Sequence, residues 1–371
     1  MPECDVAIVG AGPAGLLLAC LLARRGTDVL VLERGTGHED RSRAIGIHPP
    51  GLAALRDAGV DEEFRADALL LAGGTVTSRG RVLAEQDFVP GREVRTLAQS
   101  QTHALLQQRL AELAPDAVRT GVQVRDVVGR AGAARVLAVR AGREQEFSAR
   151  RVVVADGVHS GIRDRLGVSW RRVPGAGDYT MLDVVDAPSD DRARLHLEPD
   201  GVVESFPLPG GGRRWVIRER ERTRRTTASF ARTVLARTGL DIGEPGGARP
   251  QSFRARQHRA SRLVHGPAVL LGDAAHEISP IGGQGMNLAW IAACRLAVAL
   301  TERSDREAAL RAYERVSLRA AALGQRRARF NMAMGAPVGE AARAVRDGAI
   351  ALLDQGVSGR RMLGAMTMSG L

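Results

Sequence analysis

The sequence of 371 residues contains no lysine, and all 53 of its basic residues are arginine. That absence excludes a Walker A phosphate loop, Schiff-base catalysis and lysine-dependent halogenation, because each needs the amine. Aromatic residues make up only 3% of the chain, too few for the stacking platform that single-stranded nucleic acid requires. Cysteine occurs three times, at Cys4, Cys20 and Cys294. Their spacing suits no ligand set, so buried structural thiols are expected, with no metal site and no disulfide framework. The longest apolar stretches, residues 16–23 and 288–300, fall short of the roughly 20 residues a membrane helix needs. The first residues also lack the basic segment, apolar core and cleavage pattern of a signal peptide. A cytoplasmic protein with no membrane span is expected.

What is present reads as globular. Hydrophobic residues account for 44% and charged residues for 26%, near the globular average, and the length suits two packed domains. The net charge of +11 would collect phosphates if it were concentrated on one face. It is not: the densest stretch, 213–225, is broken by Glu219 and Glu221, and 303–319 alternates with Asp305, Glu307 and Glu314. Arginine is therefore read as covering solvated faces, Arg92, Arg163 and Arg165 among them, and nucleic acid is not expected as a partner. Glycine is in surplus at 43 residues, and its placement carries the argument.

Val6-Ala7-Ile8-Val9 is a continuous apolar run of the kind buried on both faces of a parallel sheet. Gly10-Ala11-Gly12-Pro13-Ala14-Gly15 follows as GxGxxG, then a helix over 16–25 and a second strand over 29–32 closed by Glu33. This is a βαβ dinucleotide-binding unit. Gly10 allows the tight turn, Gly12 clears space for a pyrophosphate, and Gly15 lets helix and strand pack closely. Pro13 suits a first helical turn. The helix N-terminus offers free N–H groups to phosphates, and Glu33 is placed to accept from ribose hydroxyls.

Further along, a helix is predicted over 51–59 and another over 99–113, with strands over 122–128, 134–139, 144–148 and 151–154, the last ending in Asp156-Gly157. Residues 168–262 change to short strands such as 179–185, 202–208 and 214–218 between Pro and Gly clusters, which suggests an antiparallel sheet with one helix over 226–238. The parallel-strand pattern returns at 268–271 and runs into Gly272-Asp273 and a Pro- and Gly-rich stretch. The remainder reads as helical, with a loose Met-rich end after Arg361.

Three motifs, GxGxxG at Gly10 to Gly15, Asp156-Gly157, and Gly272-Asp273 with its continuation, each close an apolar strand. In this order they resemble the single-component flavoprotein aromatic hydroxylases, the p-hydroxybenzoate hydroxylase-like monooxygenases, over roughly residues 4–320. The resemblance implies an α/β fold: a Rossmann-type, glutathione reductase-like FAD-binding domain, an antiparallel-sheet substrate domain and C-terminal helices. Residues 1–73, 97–166 and 264–330 would form the discontinuous FAD-binding domain, 74–96 and 167–263 the substrate domain, and 331–371 a C-terminal helical segment.

Carried onto this chain, the resemblance implies that Gly10, Gly12, Pro13, Ala14, Gly15, Glu33 and Arg34 hold the adenosine-diphosphate half of FAD. Arg43 would lie near the pyrophosphate and the moving flavin, and Gln99 near the ribityl chain. Asp156 and Gly157 would join FAD and nicotinamide contacts, and Asp273, after Gly272, would bond a ribityl hydroxyl. Gly282, Gly283, Gln284, Gly285, Met286 and Asn287 would form the loop beneath the flavin pyrimidine ring. A helix starting near Met286 would aim its positive end at that ring. Pro280 would line the oxygen-reacting face. Pro280, Gly282 and His48 are thus the catalytic candidates, with His276 a weaker one. His38, His103, His159, His196, His258 and His265 are read as surface or packing residues. Tyr179, Phe206, Trp215 and Arg218 are candidates for the substrate wall, although strand alternation leaves core packing equally open.

As that family works, NADH or NADPH would reduce FAD, and the flavin C4a-hydroperoxide formed with O2 would hydroxylate an aromatic or polyketide-like small molecule, as in secondary metabolism. A reductase or dehydrogenase of the same fold, epoxidation or Baeyer-Villiger oxidation, and a non-catalytic FAD-binding protein are the alternatives. A halogenase is disfavoured by the missing lysine and the missing Trp-x-Trp-x-Ile-Pro segment. The substrate, the choice between NADH and NADPH, and the oligomeric state stay open.

Overall fold

The sequence motifs become a three-dimensional arrangement in a computed structural model that describes residues 2–37, 45–130, 132–185, 190–243, 249–280 and 283–354. The chain begins with β1 (Cys4–Val9), α1 (Pro13–Ala23) and β2 (Val29–Glu33). There follow β3 (Gly46–Ile47), α2 (Pro49–Ala58), α3 (Asp61–Asp67), β4 (Leu69–Leu70), β5 (Gly73–Ser78), β6 (Arg81–Asp87), β7 (Arg95–Thr96) and α4 (Gln99–Leu113). Next come β8 (Val118–Thr120), β9 (Val122–Arg130), β10 (Ala133–Arg140), β11 (Arg143–Val154), α5 (Gly161–Arg165) and β12 (Trp170–Arg172). The middle holds β13 (Gly177–Val184), β14 (Arg192–His196), β15 (Val203–Pro207), β16 (Arg213–Glu219), α6 (Thr227–Thr238), β17 (Gln251–Ala255) and β18 (His258–Ala260). Last come β19 (Val264–His265), β20 (Ala268–Leu270), β21 (His276–Glu277), α7 (Gln284–Thr301), α8 (Arg306–Met334) and α9 (Glu340–Asp354).

Two large sheets organise these elements, beside two three-stranded ones, β12-β18-β21 and β3-β7-β4. The first runs β19-β20-β11-β1-β2-β8, parallel from β20 to β8, with β10 and β9 extending from β11 as an antiparallel hairpin. Its strands are apolar on both faces because helices cover both sides: Ala7, Ile8, Val31, Val153 and Val269 are fully buried with Leu16, Leu17 and Trp290 in one core. The second sheet runs β17-β13-β16-β15-β14-β5-β6 and is antiparallel except for the β14–β5 pair. One face of it packs Leu182, Val203, Trp215 and Ile217 against Phe230 and Val234 of α6. On the other face Met332 of α8 packs on Tyr179, Met181 and Val216, and Ile350 of α9 packs on Val76, Leu83 and Ala84.

The structure corrects several expectations. Residues 144–148 and 151–154 form one strand, β11, whose first half pairs with β10 and whose second half pairs with β1 and β20. The change from exposed to buried at Ala149 marks new neighbours and not a break in the chain. Helix α8 continues across position 330, where a boundary was expected. Arg163 is 3% exposed and not a solvated charge. Its guanidinium stacks 3.8 Å over Trp170 and donates to the Val158 carbonyl at 3.2 Å. Two of the three thiols, Cys4 and Cys20, are buried, and burial pushes both up to about 12. Cys294 is half-buried and pushed up to about 11. Among the described residues no helix is long and apolar enough to cross a membrane. His38, Arg43, Gly282 and the segment after Arg361 lie outside the described residues.

Candidate functional site

The glycine turn after β1 is shaped by what a side chain would strike. An added Cβ would lie 2.1 Å from the Gly10 carbonyl oxygen at Gly15 and 2.5 Å from the Ala155 carbonyl oxygen at Gly10, where φ is +104°. At Gly12 it would meet nothing within 4 Å, because that position faces open space. Gly12 caps α1 in an extended conformation and Pro13 opens the helix, whose free N–H groups make its end electropositive. Glu33 braces the turn: its carboxylate accepts from the Ala11 N–H at 2.8 Å and from the Gly35 N–H at 2.7 Å. His103 reaches the Ala11 carbonyl from α4 with Nε2 at 2.8 Å. Arg34 is exposed and does not line the cavity described below.

A second helix end meets the first. Helix α7 starts at Gln284 behind Gly283, whose φ of +64° suits glycine. Trp290 on α7 donates its indole N–H to the Pro13 carbonyl at 3.1 Å, which holds the two helices together near their N-termini. Asn287 is fully buried and fastens the start of α7 to the chain before α2. It accepts from the His48 N–H at 3.0 Å and donates to the Gly46 and Gly283 carbonyls at 3.0 and 2.8 Å. Asn287 was expected among the cofactor contacts; its side-chain amide is bonded to backbone and ties the loop to the start of α7. Gln284 and Gly272 are likewise buried.

One cavity of about 1430 Å³ begins between these helix ends and extends to the antiparallel sheet. Gly12, Pro13, Ala14, His48, Gln99, Gly157, Asp273, Pro280, Gly283, Gly285 and Met286 line its first part, so most of the expected cofactor and catalytic positions converge there. Gly10, Gly15, Glu33, Arg34, Asp156 and Gly272 stand behind that wall or outside it. Asp156, next to the lining residue Gly157, has one carboxylate oxygen buried without a hydrogen-bond partner among the described residues, and burial raises its pKa. His276 is buried and off the cavity, and desolvation lowers its pKa to about 4.

The far part is walled by Met181, Leu195, Val202, Phe206, Val216 and Phe253 from the sheet side and by Phe330, Met334, Val345 and Ile350 from α8 and α9. Of the four expected substrate residues, only Phe206 lines it. Trp215 points to the opposite face, where Phe230 and Val234 give its large side chain a core. Tyr179 is 1% exposed, stacks on Phe253 and receives a hydrogen bond from the Arg218 guanidinium, so both side chains serve the wall from behind. Sequence reading missed Glu204, a carboxyl 5% exposed on the cavity wall. It also missed the contribution of α9. The signal for Glu204 was the acid within the apolar run 202–208.

A chain with a βαβ nucleotide turn, a second helix end facing it and a cavity shared with an antiparallel sheet is a flavoprotein of two joined layers. It belongs to the FAD binding domain family, which it matches over residues 3–328. It is 33% identical over 307 residues to the 6-methylpretetramide 4-monooxygenase of Streptomyces rimosus, covering 77% of this chain and 54% of that one. It is 30% identical over 312 residues to a 12-dehydrotetracycline 5-monooxygenase/anhydrotetracycline 6-monooxygenase of Streptomyces rimosus subsp. rimosus, covering 76% and 60%. The chain thus spans little more than half the length of these relatives. Among solved structures, an anhydrotetracycline hydroxylase from Streptomyces rimosus is similar at a TM-score of 0.81 and 26% identity, covering 99% of this chain and 76% of that one. A p-nitrophenol 4-monooxygenase from Pseudomonas putida DLL-E4 shares the fold at a TM-score of 0.86 and 21% identity, covering 98% of each chain.

Proposed function

We propose that the chain is an FAD-dependent monooxygenase that uses NADH or NADPH and O2 to hydroxylate an aromatic or polyketide-like small molecule. The observation that carries this reading is the single cavity joining the two helix N-termini to the apolar face of the antiparallel sheet. The residues present fit the cofactor. Gly12 opens onto the cavity, Asp156 offers an unpartnered oxygen beside it, and two helix ends supply N–H groups for anionic parts of the molecule. Gly12, Pro13 and Ala14 would face the pyrophosphate, Gln99 and Asp273 the ribityl chain, and Gly283, Gly285 and Met286 the ring, with Pro280 and His48 at the reacting side. When bound, the flavin supplies hydride acceptance and oxygen activation.

The chain's own task is to bind, orient and keep water out. The helix dipole of α7 favours negative charge at Gly283 to Met286. The apolar walls of β13 to β16 and of α8 and α9 keep water from a reactive oxygen species. In this reading 74–96 and 167–263 serve the substrate and the parallel-sheet residues serve the cofactor. The test is anaerobic reduction of bound flavin by NADH and by NADPH across a panel of phenols, quinones and polycyclic aromatics, followed by 18O2. A compound that accelerates reduction and gains labelled oxygen supports the reading. Fast reduction without any compound, with oxygen returned only as peroxide, replaces it with a reductase or oxidase.

A further inference from the structure

One acidic side chain in the cavity has no hydrogen-bond or ion-pair partner among the described residues. The register of the antiparallel sheet lines up Met181, Val216, Glu204, Leu195, Val76 and Ala84, one from each strand between β13 and β6. All six line the cavity. At about 4.8 Å between strands the row spans roughly 24 Å, several aromatic rings in length. Five members are apolar, and the sixth is a carboxyl that makes no hydrogen bond or ion pair among the described residues. Sequence neighbours do not relieve it, because Val203 and Ser205 point to the α6 face, where Val203 packs in that core and Ser205 accepts from Arg213.

A buried carboxyl without a partner is unfavourable when ionised, so a stable design either removes it or supplies its partner from outside. Burial raises Glu204 to about 7, which leaves it able to hold or release a proton near neutrality. On β13 the Tyr179 hydroxyl, held above its usual range first by burial and in smaller part by Glu204, accepts from Arg218. The charged residues facing the cavity are mostly cationic: Arg254 on β17 and Arg256 just after it, Arg326 and Arg327 on α8, and Arg346 on α9, with Arg254 paired to Asp178 and Arg346 to Asp347. Of the other acids, Asp273 lies at the cofactor end and Glu277 bonds His258 at 2.6 Å. A substrate ammonium would meet this positive surround, so a neutral O–H donor is favoured.

We propose that Glu204 reads the substrate by accepting a hydrogen bond from a phenolic hydroxyl on a flat, multi-ring ligand lying along the row. The carboxylate then takes that proton: the phenol O–H bond breaks, its electron pair stays on the ring oxygen, and a new O–H bond forms on Glu204. The proton returns to that oxygen when the product leaves. The ring is more electron-rich in the meantime, which is the state an oxygen electrophile attacks. This inference rests on the monooxygenase reading for its site.

The test uses the FAD-loaded, oxidised protein as wild type, Glu204→Gln and Glu204→Leu, with 2,6-dihydroxyanthraquinone and its dimethyl ether as probes followed by their visible absorption. Wild type should bind the dihydroxy probe at least about 10-fold more tightly than the ether, the range of a charge-assisted hydrogen bond, and shift its band toward the phenolate. Glu204→Leu should erase the preference. Glu204→Gln should retain binding within a few-fold but lose the shift, and in turnover its kcat should fall more than its KM rises. Equal affinity for the two probes, no binding of the dihydroxy probe to wild type, or an unchanged preference in Glu204→Leu overturns the proposal. Should Glu204→Leu fail to fold, the wild-type preference and the Gln spectrum still decide. Flavin content and NAD(P)H oxidation are measured separately, so a failed monooxygenase reading is distinguishable from a failed role for Glu204.

Discussion

Two of the three glycines of the nucleotide turn, Gly15 and Gly12, should respond to substitution in opposite ways. At Gly15 an added Cβ would sit 2.1 Å from a backbone oxygen, so Gly15→Ala must move α1 away from β1. Overpacking of that kind destabilises by about 1–3 kcal/mol or more. At Gly12 the backbone is extended, with φ −69° and ψ 172°, and the space beyond is open. Gly12→Val lowers the entropy of the unfolded chain, which stabilises by about 0.4–1 kcal/mol, and loses a tolerated N-cap residue, which costs about the same. Folding stability should therefore change by less than about 1 kcal/mol, while the isopropyl group fills the space proposed for the pyrophosphate. A steric penalty of about 3 kcal/mol corresponds to a loss of FAD affinity of about 100-fold. The assay pairs urea denaturation of flavin-stripped wild type and both variants with flavin-to-protein absorbance ratios after FAD titration. A Gly12→Val protein that is strongly destabilised, or that remains yellow at low FAD, would refute the assignment of the open space.

Three further outcomes follow from burial. An unfolded glutamate releases its proton near 4.5 and Glu204 near 7, so the native state holds more protons between those values and loses stability as pH rises through them; Glu204→Gln should be more stable than wild type by about 3 kcal/mol at pH 8, with the advantage gone at pH 4. His196 and His276 run the other way: desolvation lowers both from 6.5 to about 4, so stability is lost as pH falls through that window, by about 3 kcal/mol for each. Denaturation of His196→Gln at pH 7 and pH 4.5 should show a smaller acid loss than wild type, and an equal loss counts against the burial argument. Asn287→Ala strands a backbone N–H and two carbonyls that the amide now serves, and should cost about 2–4 kcal/mol in urea denaturation; an unchanged midpoint would mean water replaces it freely.

The parts of the fold that were legible are those whose cause is local. GxGxxG between an apolar strand and an apolar helix states its own geometry, because the clashes at Gly10 and Gly15 involve chain within the same unit or the strand beside it. The helix over 226–238 was legible for the same reason, since Thr226 caps it through the Ser229 N–H and Gly239 ends it. Strand β11 was misread because its pattern changes at Ala149, and pattern reports surroundings as much as conformation. Its first half has a solvated face and its second half lies between β1 and β20. Arg163 was misread because its partners, Trp170 and the Val158 carbonyl, come together only through the turn between them.

The candidate site divides along the same line, and the division explains why the substrate wall was the poorest reading. Alternation on a strand tells which residues share a face but not which face meets the cavity. Trp215 and Val216 are adjacent on β16, and the larger one was the natural choice for an aromatic-binding wall. The sheet's two faces, however, have unequal needs. The α6 face is a closed core that needs volume, and it takes Trp215 against Phe230 and Val234. The cavity face must leave room, so it carries the smaller Val216 in a row of modest aliphatic side chains. On such a face bulk is a poor marker of function and polarity a good one. An acid among aliphatic neighbours with no partner among the described residues is the polar mark in that row, and Glu204, proposed above to meet the ligand, is the side chain to which this applies.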